Sequence, residues 1–193
     1  MWEIPPQQIP EGIDPAIFST LSGGMPALVH EGHSFPSGAQ LRAWAENAVV
    51  PGTTRNCLLA ALWLLEGNLE SAHRLCQDVP TVLGSAWHAV VHRQEGDFWN
   101  SKYWWRRTTS GGAGLGIRWT RLQAELKGIA RAAPRSVVED LERLARSYDP
   151  SRFVDLVEVH GHSAEAREVL LDVQRWEWAA LFIETWNGRE GKH

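Results

Sequence analysis

The sequence has little from which a membrane span, a disulfide framework or a sheet is built. No run of about 18 apolar residues occurs, the length a spanning helix requires. Only two cysteines are present, Cys57 and Cys76, both in apolar helical contexts. That number and setting read as two reduced, buried thiols. The opening stretch MWEIPPQQIPEGIDP has neither a basic start nor an apolar core, so no signal peptide is expected and the expected compartment is the cytoplasm. No segment sustains the two-residue alternation of a half-buried strand, so the expected fold class is all-α. Methionine and tyrosine occur twice each, whereas tryptophan occurs 11 times. Trp is a large rigid filler with one N–H donor, so this excess implies extensive helix packing or an aromatic binding surface.

The chain of 193 residues suits one domain with a sizeable core and is short for two. Its net charge of −4 is unevenly spread. Between Arg93 and Arg135 nine Lys/Arg stand against three Asp/Glu, a local +6, which leaves −10 for the remainder. A basic middle in an acidic chain either draws a small anionic ligand or a protein partner, or pairs with the acidic remainder.

Six of the ten prolines precede Ser37, and proline removes N–H donors and restricts its predecessor. Residues 1–36 are therefore expected to form an irregular Pro-rich N-terminal arm. A short helix around Pro15 to Leu21 is expected within it, with Trp2, Ile4, Ile9, Ile13, Ile17, Phe18 and Leu21 draped over the core. From residue 37 to 193 the signals are helical, and a single all-α domain is expected. GAQLRAWAENAVV stops at Pro51-Gly52, and TTRNCLLAALWLLEG follows with Thr53 or Thr54 as its expected cap. LESAHRLCQDV, TVLGSAWHAVVHRQEG and FWNSKYWWRR complete the middle. C-terminal helices are expected over about 118–187. Ser136 with Glu139 forms a capping-box pattern, Asp149-Pro150 reads as a cap and first helical residue, and Ser163 is the expected cap of the last helix. The tract SGGAGLG (110–116) follows a helix and lacks a Gly-Lys-Ser/Thr ending, so it reads as a flexible connection rather than a phosphate loop.

Two stretches align on their turns, ALWLLEGNLESAHRL (61–75) and VVHRQEGDFWNSKYW (90–104). Glu66-Gly67 recurs as Glu95-Gly96, each followed by Asn or Asp, then a large apolar residue, then Ala72 or Ser101. Glycine accepts the left-handed conformation that closes one helix, Asn/Asp caps the next, and the small residue permits close approach. The pattern resembles tetratricopeptide (TPR)-like α-hairpins over about residues 53–108. A longer string, WHAVVHRQEGDFWNSKYWWRR with DPSRFVDL and VQRWEWAALF, resembles a family of uncharacterised bacterial and fungal all-helical proteins. These resemblances imply an α-solenoid type of arrangement with a C-terminal helical extension, and imply no activity.

The alignment singles out two residues. Positions eight and four before the turn glycine should face the partner helix and be large and apolar. The first repeat has Leu59 and Trp63 there, and the second has His88 and His92. A buried imidazole without a partner costs about 1–3 kcal/mol, so each must find one. Three readings stay open. Each ring hydrogen-bonds a backbone carbonyl, a Trp N–H or a carboxylate such as Asp155 or Glu158. Alternatively His88 and His92 ligate a divalent metal with His73 as third ligand. In the third reading they bind a ligand or move protons beside Lys102 and Arg106, with no metal. His30 and His33 in the arm, and His160 and His162 around Gly161, are weaker metal candidates. At the level of function, the leading expectation is a helical-repeat protein that binds a protein partner or small ligand. An enzyme built around His88 and His92 is the alternative. A single-strand nucleic-acid binder using the aromatic and basic residues of FWNSKYWWRR is third, and a pI near 6.1 argues against it.

Overall fold

The computed structural model describes residues 9–13, 15–18, 28, 38–109 and 119–188, and everything said of structure concerns those residues. The protein is all-α, with no strand among them. Helices α1 (Gly38–Asn47), α2 (Gly52–Leu65), α3 (Leu69–Cys76), α4 (Val82–Glu95) and α5 (Phe98–Arg107) follow one another. After them come α6 (Thr120–Ala132), α7 (Val138–Arg146), α8 (Pro150–His160) and α9 (Arg167–Asn187). His30, His33 and the glycine tract 110–116 lie outside the described residues, as does most of the N-terminal segment.

The two aligned turns form as the sequence dictates. Gly67 and Gly96 take positive φ of 71° and 80°, a conformation that costs a side-chain-bearing residue about 1 kcal/mol or more. In both turns the reversed chain satisfies two carbonyls of the finishing helix. The Gly67 N–H donates to Leu64 O and the Asn68 N–H to Trp63 O; in the second turn Gly96 donates to Arg93 O and Asp97 to His92 O. The Asn68 side chain then accepts from the Ser71 N–H and that of Asp97 from the Asn100 N–H, opening α3 and α5. Ala72 and Ser101 are fully buried at the crossings, and the Ser101 hydroxyl donates to Ala89 O at 2.7 Å. The result is two antiparallel hairpins, α2–α3 and α4–α5, with α1 on α2 and α2 on α4.

Other start signals are overridden. Helix α2 begins at Gly52 behind Pro51 with no side-chain cap, one residue ahead of the threonines. The Ser136/Glu139 box does not form, because Val137, buried in the core, precedes α7 and has no side-chain cap to offer. Ser163 contributes its backbone carbonyl to the Arg167 N–H across a turn, and α9 starts three residues later than the serine implies. Asp149 does cap α8, with Pro150 in its first turn.

Helix α9, 21 residues long, lies across α2, α4 and α6, and the tryptophans explain its docking. Trp178 is buried and donates to Ala61 O on α2 at 3.2 Å, while Trp87 of α4 donates to the Thr185 hydroxyl at 2.9 Å. Their rings meet edge to face at 5.9 Å. An indole of this kind removes on the order of 200 Å² from water, a contribution of about 5 kcal/mol at most. Ile13, Ile17, Phe18 and Leu28 join the same core, with Phe18 edge-on to Phe182 and Trp186 donating to Glu11 O.

Through this apolar contact runs one ion pair. Arg93, fully buried, donates to Glu177 Oε2 of α9 at 2.5 Å, and Glu177 Oε1 accepts from the Tyr148 hydroxyl at 2.7 Å. The guanidinium lies 4.6 Å over the Phe153 ring. Burial, and then the adjacent Glu177 carboxylate, pushes the Tyr148 hydroxyl well above its ordinary pKa, so it is a fixed donor.

Two outcomes are expected. Glu177→Gln leaves a buried unpaired guanidinium and should lower unfolding free energy by about 3–5 kcal/mol in urea titrations, whereas Arg93→Met with Glu177→Leu should recover most of that loss. A Glu177→Gln penalty under about 1 kcal/mol would show that the pair does not hold α9. Burial also pushes Cys57 up to about 12 and Cys76 higher still, so a thiol-disulfide reagent at pH 8 should titrate neither cysteine in folded protein and both in guanidinium.

Candidate metal centre

Helix α4 has an almost continuously buried surface, so its roll decides which residues meet which neighbour. Thr81 caps it by accepting from the Gly84 N–H, and Gly96 closes it. With Arg93 turned toward α9, the stripe carrying His88 and His92 faces α3 and α5. Both imidazoles are buried, at 4% and 7% exposure, and stack on one another with centroids 4.6 Å apart, as residues four apart on a helix do. From α3, His73 approaches edge-on to both rings, at 4.6 and 4.9 Å.

The nitrogens converge. His73 Nε2 lies 2.9 Å from His88 Nε2, and one ligand nitrogen from each of His73, His88 and His92 falls within 4.8 Å of the others. Glu95, at the end of α4, backs two of the three rings: Oε1 is 2.9 Å from His73 Nδ1 and Oε2 is 3.0 Å from His92 Nδ1. The His92 contact is close in distance but off-line in direction, and it makes no aligned hydrogen bond. With both Nδ1 atoms turned to Glu95, the nitrogen each ring has left is Nε2. His88 Nδ1 is buried with no hydrogen-bond partner among the described residues. Trp104 of α5 covers His88, ring centroids 4.2 Å apart.

Electrostatics keep His88 in its ligating form. Burial, reinforced by His92 and His73, lowers His88 to a pKa of about 3, so its ring is neutral near pH 7. The adjacent His92 imidazole, opposed by burial and helped by His73, holds the Glu95 carboxyl at about 2, so it is ionised. A hydrogen bond between His73 Nε2 and His88 Nε2 at 2.9 Å places one proton between them. Three imidazoles around a tetrahedral ion at about 2.0–2.1 Å would stand roughly 3.3 Å apart. An ion there therefore requires the 2.9 Å His73–His88 pair to open by a few tenths of an ångström and the wider spacings, up to 4.8 Å, to close toward the same value. Cys76, one turn beyond His73, donates its thiol to His73 O at 3.6 Å and stands outside the converging set.

The remaining candidates go elsewhere. Lys102 Nζ bridges Asp155 Oδ1 at 2.9 Å and Glu158 Oε2 at 3.1 Å on α8, and the Asp155 bond raises its pKa. Those two carboxylates therefore serve Lys102 and not the imidazoles. Arg106 is exposed on α5. His160 ends α8 and His162 is exposed, and neither joins the cluster. On the outer face of α5, Trp99 is 68% exposed and stacks on Tyr103.

Glu95 and Trp104 are the members that sequence reasoning passed over, the first as a turn residue and the second as packing. The repeat held the signal. In the first hairpin Glu66 pairs with Arg42 of α1, and Arg42 lies 3.9 Å over the Trp63 ring. The second has Glu95 in the place of Glu66 and His92 in that of Trp63, with His73 reaching in from the preceding helix as Arg42 does. Comparison of the sequence with protein-family models and with curated proteins returned no match, and comparison of the fold with solved structures returned none.

A neutral buried imidazole links stability to pH. The unfolded chain protonates His88 below about 6.5 and the folded chain only near about 3, so its contribution to stability falls as pH drops from 6.5. Between pH 7 and 5 the protein should lose roughly 2 kcal/mol more than the His88→Leu variant, which takes the residue type of the first repeat and should be no less stable at pH 7. Parallel curves for the two proteins in urea titrations would contradict a neutral His88.

Proposed function

We propose that the protein is a TPR-like helical-hairpin protein that binds one divalent transition-metal ion, of the zinc class, through His73, His88 and His92. The observation that carries this reading is the convergence of three imidazoles from α3 and α4 with the ionised Glu95 behind two of them. A carboxylate on the outer nitrogen of a ligating histidine fixes its tautomer and raises its basicity. Packing alone gives no reason for three imidazoles to replace the apolar and cationic groups of the preceding hairpin. Nitrogen donors without sulfur suit zinc, copper and nickel over calcium or magnesium.

Three protein ligands leave a tetrahedral ion one position short, the arrangement of catalytic rather than structural zinc. The His73 and Glu95 side chains are 29% and 28% exposed, so this corner of the cluster opens to solvent. An ion held there would supply a water acidified to about pKa 7 for hydrolytic or hydration chemistry. In this reading His88 and His92 ligate from a rigid helix, His73 completes the set from the open side, and Glu95 orients the rings. Among the functions open to the sequence, this favours the metal-dependent enzyme over the partner-binding scaffold and the nucleic-acid binder.

Cobalt(II) titration of the purified full chain at pH 7.5 tests it. One equivalent should give the intense visible bands of a four-coordinate site, displaced by one equivalent of zinc. His73→Ala and His88→Ala, checked for folding by circular dichroism, should abolish the bands, and Glu95→Gln should weaken binding about 10–100-fold. An absence of stoichiometric cobalt or zinc in folded protein would overturn the reading, as would undiminished binding by the His73→Ala/His88→Ala double variant.

A further inference from the structure

A second feature lies at the loop end of the α3/α4 hairpin and has its own polar lining. There a cavity of about 320 Å³ opens between the Gln77–Thr81 connection, the first turn of α4 and the end of α5. The connection lies so close to α4 that a Cβ on Gly84 would stand 2.4 Å from Val79 O. The floor carries the N-terminus of α4, where the Thr81 side chain satisfies the Gly84 N–H and the Ser85 N–H donates to Thr81 O. The first N–H groups of a helix, here those of Val82 and Leu83, have no partner within it. With the helix dipole they favour an anion.

Ser85 is the independent observation. It lines this cavity at 8% exposure, and its hydroxyl makes no hydrogen bond among the described residues. A polar side chain this buried ordinarily has a partner; none of the described residues supplies one, and the oxygen is left open to solvent. Arg107 also lines the cavity. Its guanidinium lies 5.2 Å over the Trp104 ring and touches the Tyr103 hydroxyl at 3.5 Å, with no carboxylate within salt-bridge distance among the described residues. Asp78 also lines the cavity, exposed and likewise without a basic partner among the described residues. An exposed cation, an exposed anion, a helix N-terminus and an unpaired hydroxyl on a largely buried serine line the cavity without neutralising one another.

We infer that this cavity binds a small zwitterion of the α-amino-acid class. Its carboxylate sits on the first turn of α4 with the Ser85 hydroxyl and Arg107, and its ammonium faces Asp78. A dianion such as phosphate meets the same donors but is repelled by Asp78, and a lone ammonium meets the helix N-terminus with the wrong sign. The apolar side of the ligand lies on Trp104. The inference stands apart from the metal reading, since none of the three imidazoles lines the cavity.

Backbone amide NMR of the metal-free full chain, titrated separately with L-alanine, acetate, methylammonium and inorganic phosphate, tests it. L-Alanine should shift the amides of residues 82–85 saturably and bind more tightly than the other three. Ser85→Ala and Arg107→Ala should each weaken L-alanine by about tenfold, the worth of one charge-assisted hydrogen bond. Asp78→Asn should erase the advantage of L-alanine over acetate. Phosphate binding as tight as L-alanine would overturn the zwitterion assignment. An absence of saturable shifts at residues 82–85, or shifts unchanged in Ser85→Ala and Arg107→Ala, would overturn the site itself.

Discussion

The Arg93–Glu177 pair fixes the roll of α4, and most of what is distinctive here depends on that roll. Helix α4 is apolar or packed on nearly every side, so hydrophobic burial alone tolerates several rotations about its axis. A guanidinium in the core tolerates one, the rotation that brings it to Glu177 with Tyr148 completing the carboxylate's hydrogen bonds. Taking two charges out of water is costly, and apolar residues of like volume often serve stability as well. What the pair adds is specificity: it turns the neighbouring stripe, His88 and His92, toward α3. The same contact draws α9 against the hairpins, where Trp87 and Trp178 fill the seam.

On that fixed frame the second hairpin departs from the first in one coherent way. Arg42, Trp63 and Glu66 make an ordinary cation, ring and carboxylate stack. His73, His92 and Glu95 keep the carboxylate and substitute imidazoles around it, and His88 adds a third ring. The substitution leaves a nitrogen of His88 buried without a partner among the described residues, which an apolar residue would avoid. Sites that break the local packing rule are where function concentrates. A helical scaffold also suits the purpose, because ligands on helices are held more precisely than ligands on loops.

Much of this was legible in the chain. The Glu-Gly-Asn/Asp turns, the caps at Asn68, Asp97 and Asp149, and the small residues Ala72 and Ser101 each act through a local rule, and each acts as its residue type implies. His88 and His92 stood out because the repeat gave an expectation for their slots. Failures came where a distant contact outweighed a local signal. The Ser136/Glu139 pattern lost to burial of Val137, and Ser163 to a turn that starts α9 later. Asp155 and Glu158 answer Lys102 because α8 packs on α5, a neighbourhood no spacing reveals. No local signal sets Arg93 or Glu177 apart from the other charges, and only the packing of α9 on α4 brings them together in the core.

The central claim is that this roll assembles a three-imidazole metal site, and the most direct measurement is the coordination of zinc in the loaded protein. X-ray absorption at the zinc edge, paired with anomalous diffraction from zinc-loaded crystals, reads both ligand type and position. The account predicts one zinc with three imidazole nitrogens at about 2.0–2.1 Å and a fourth oxygen, centred between His73, His88 and His92. Zinc held by sulfur, or located anywhere other than between α3 and α4, would contradict it.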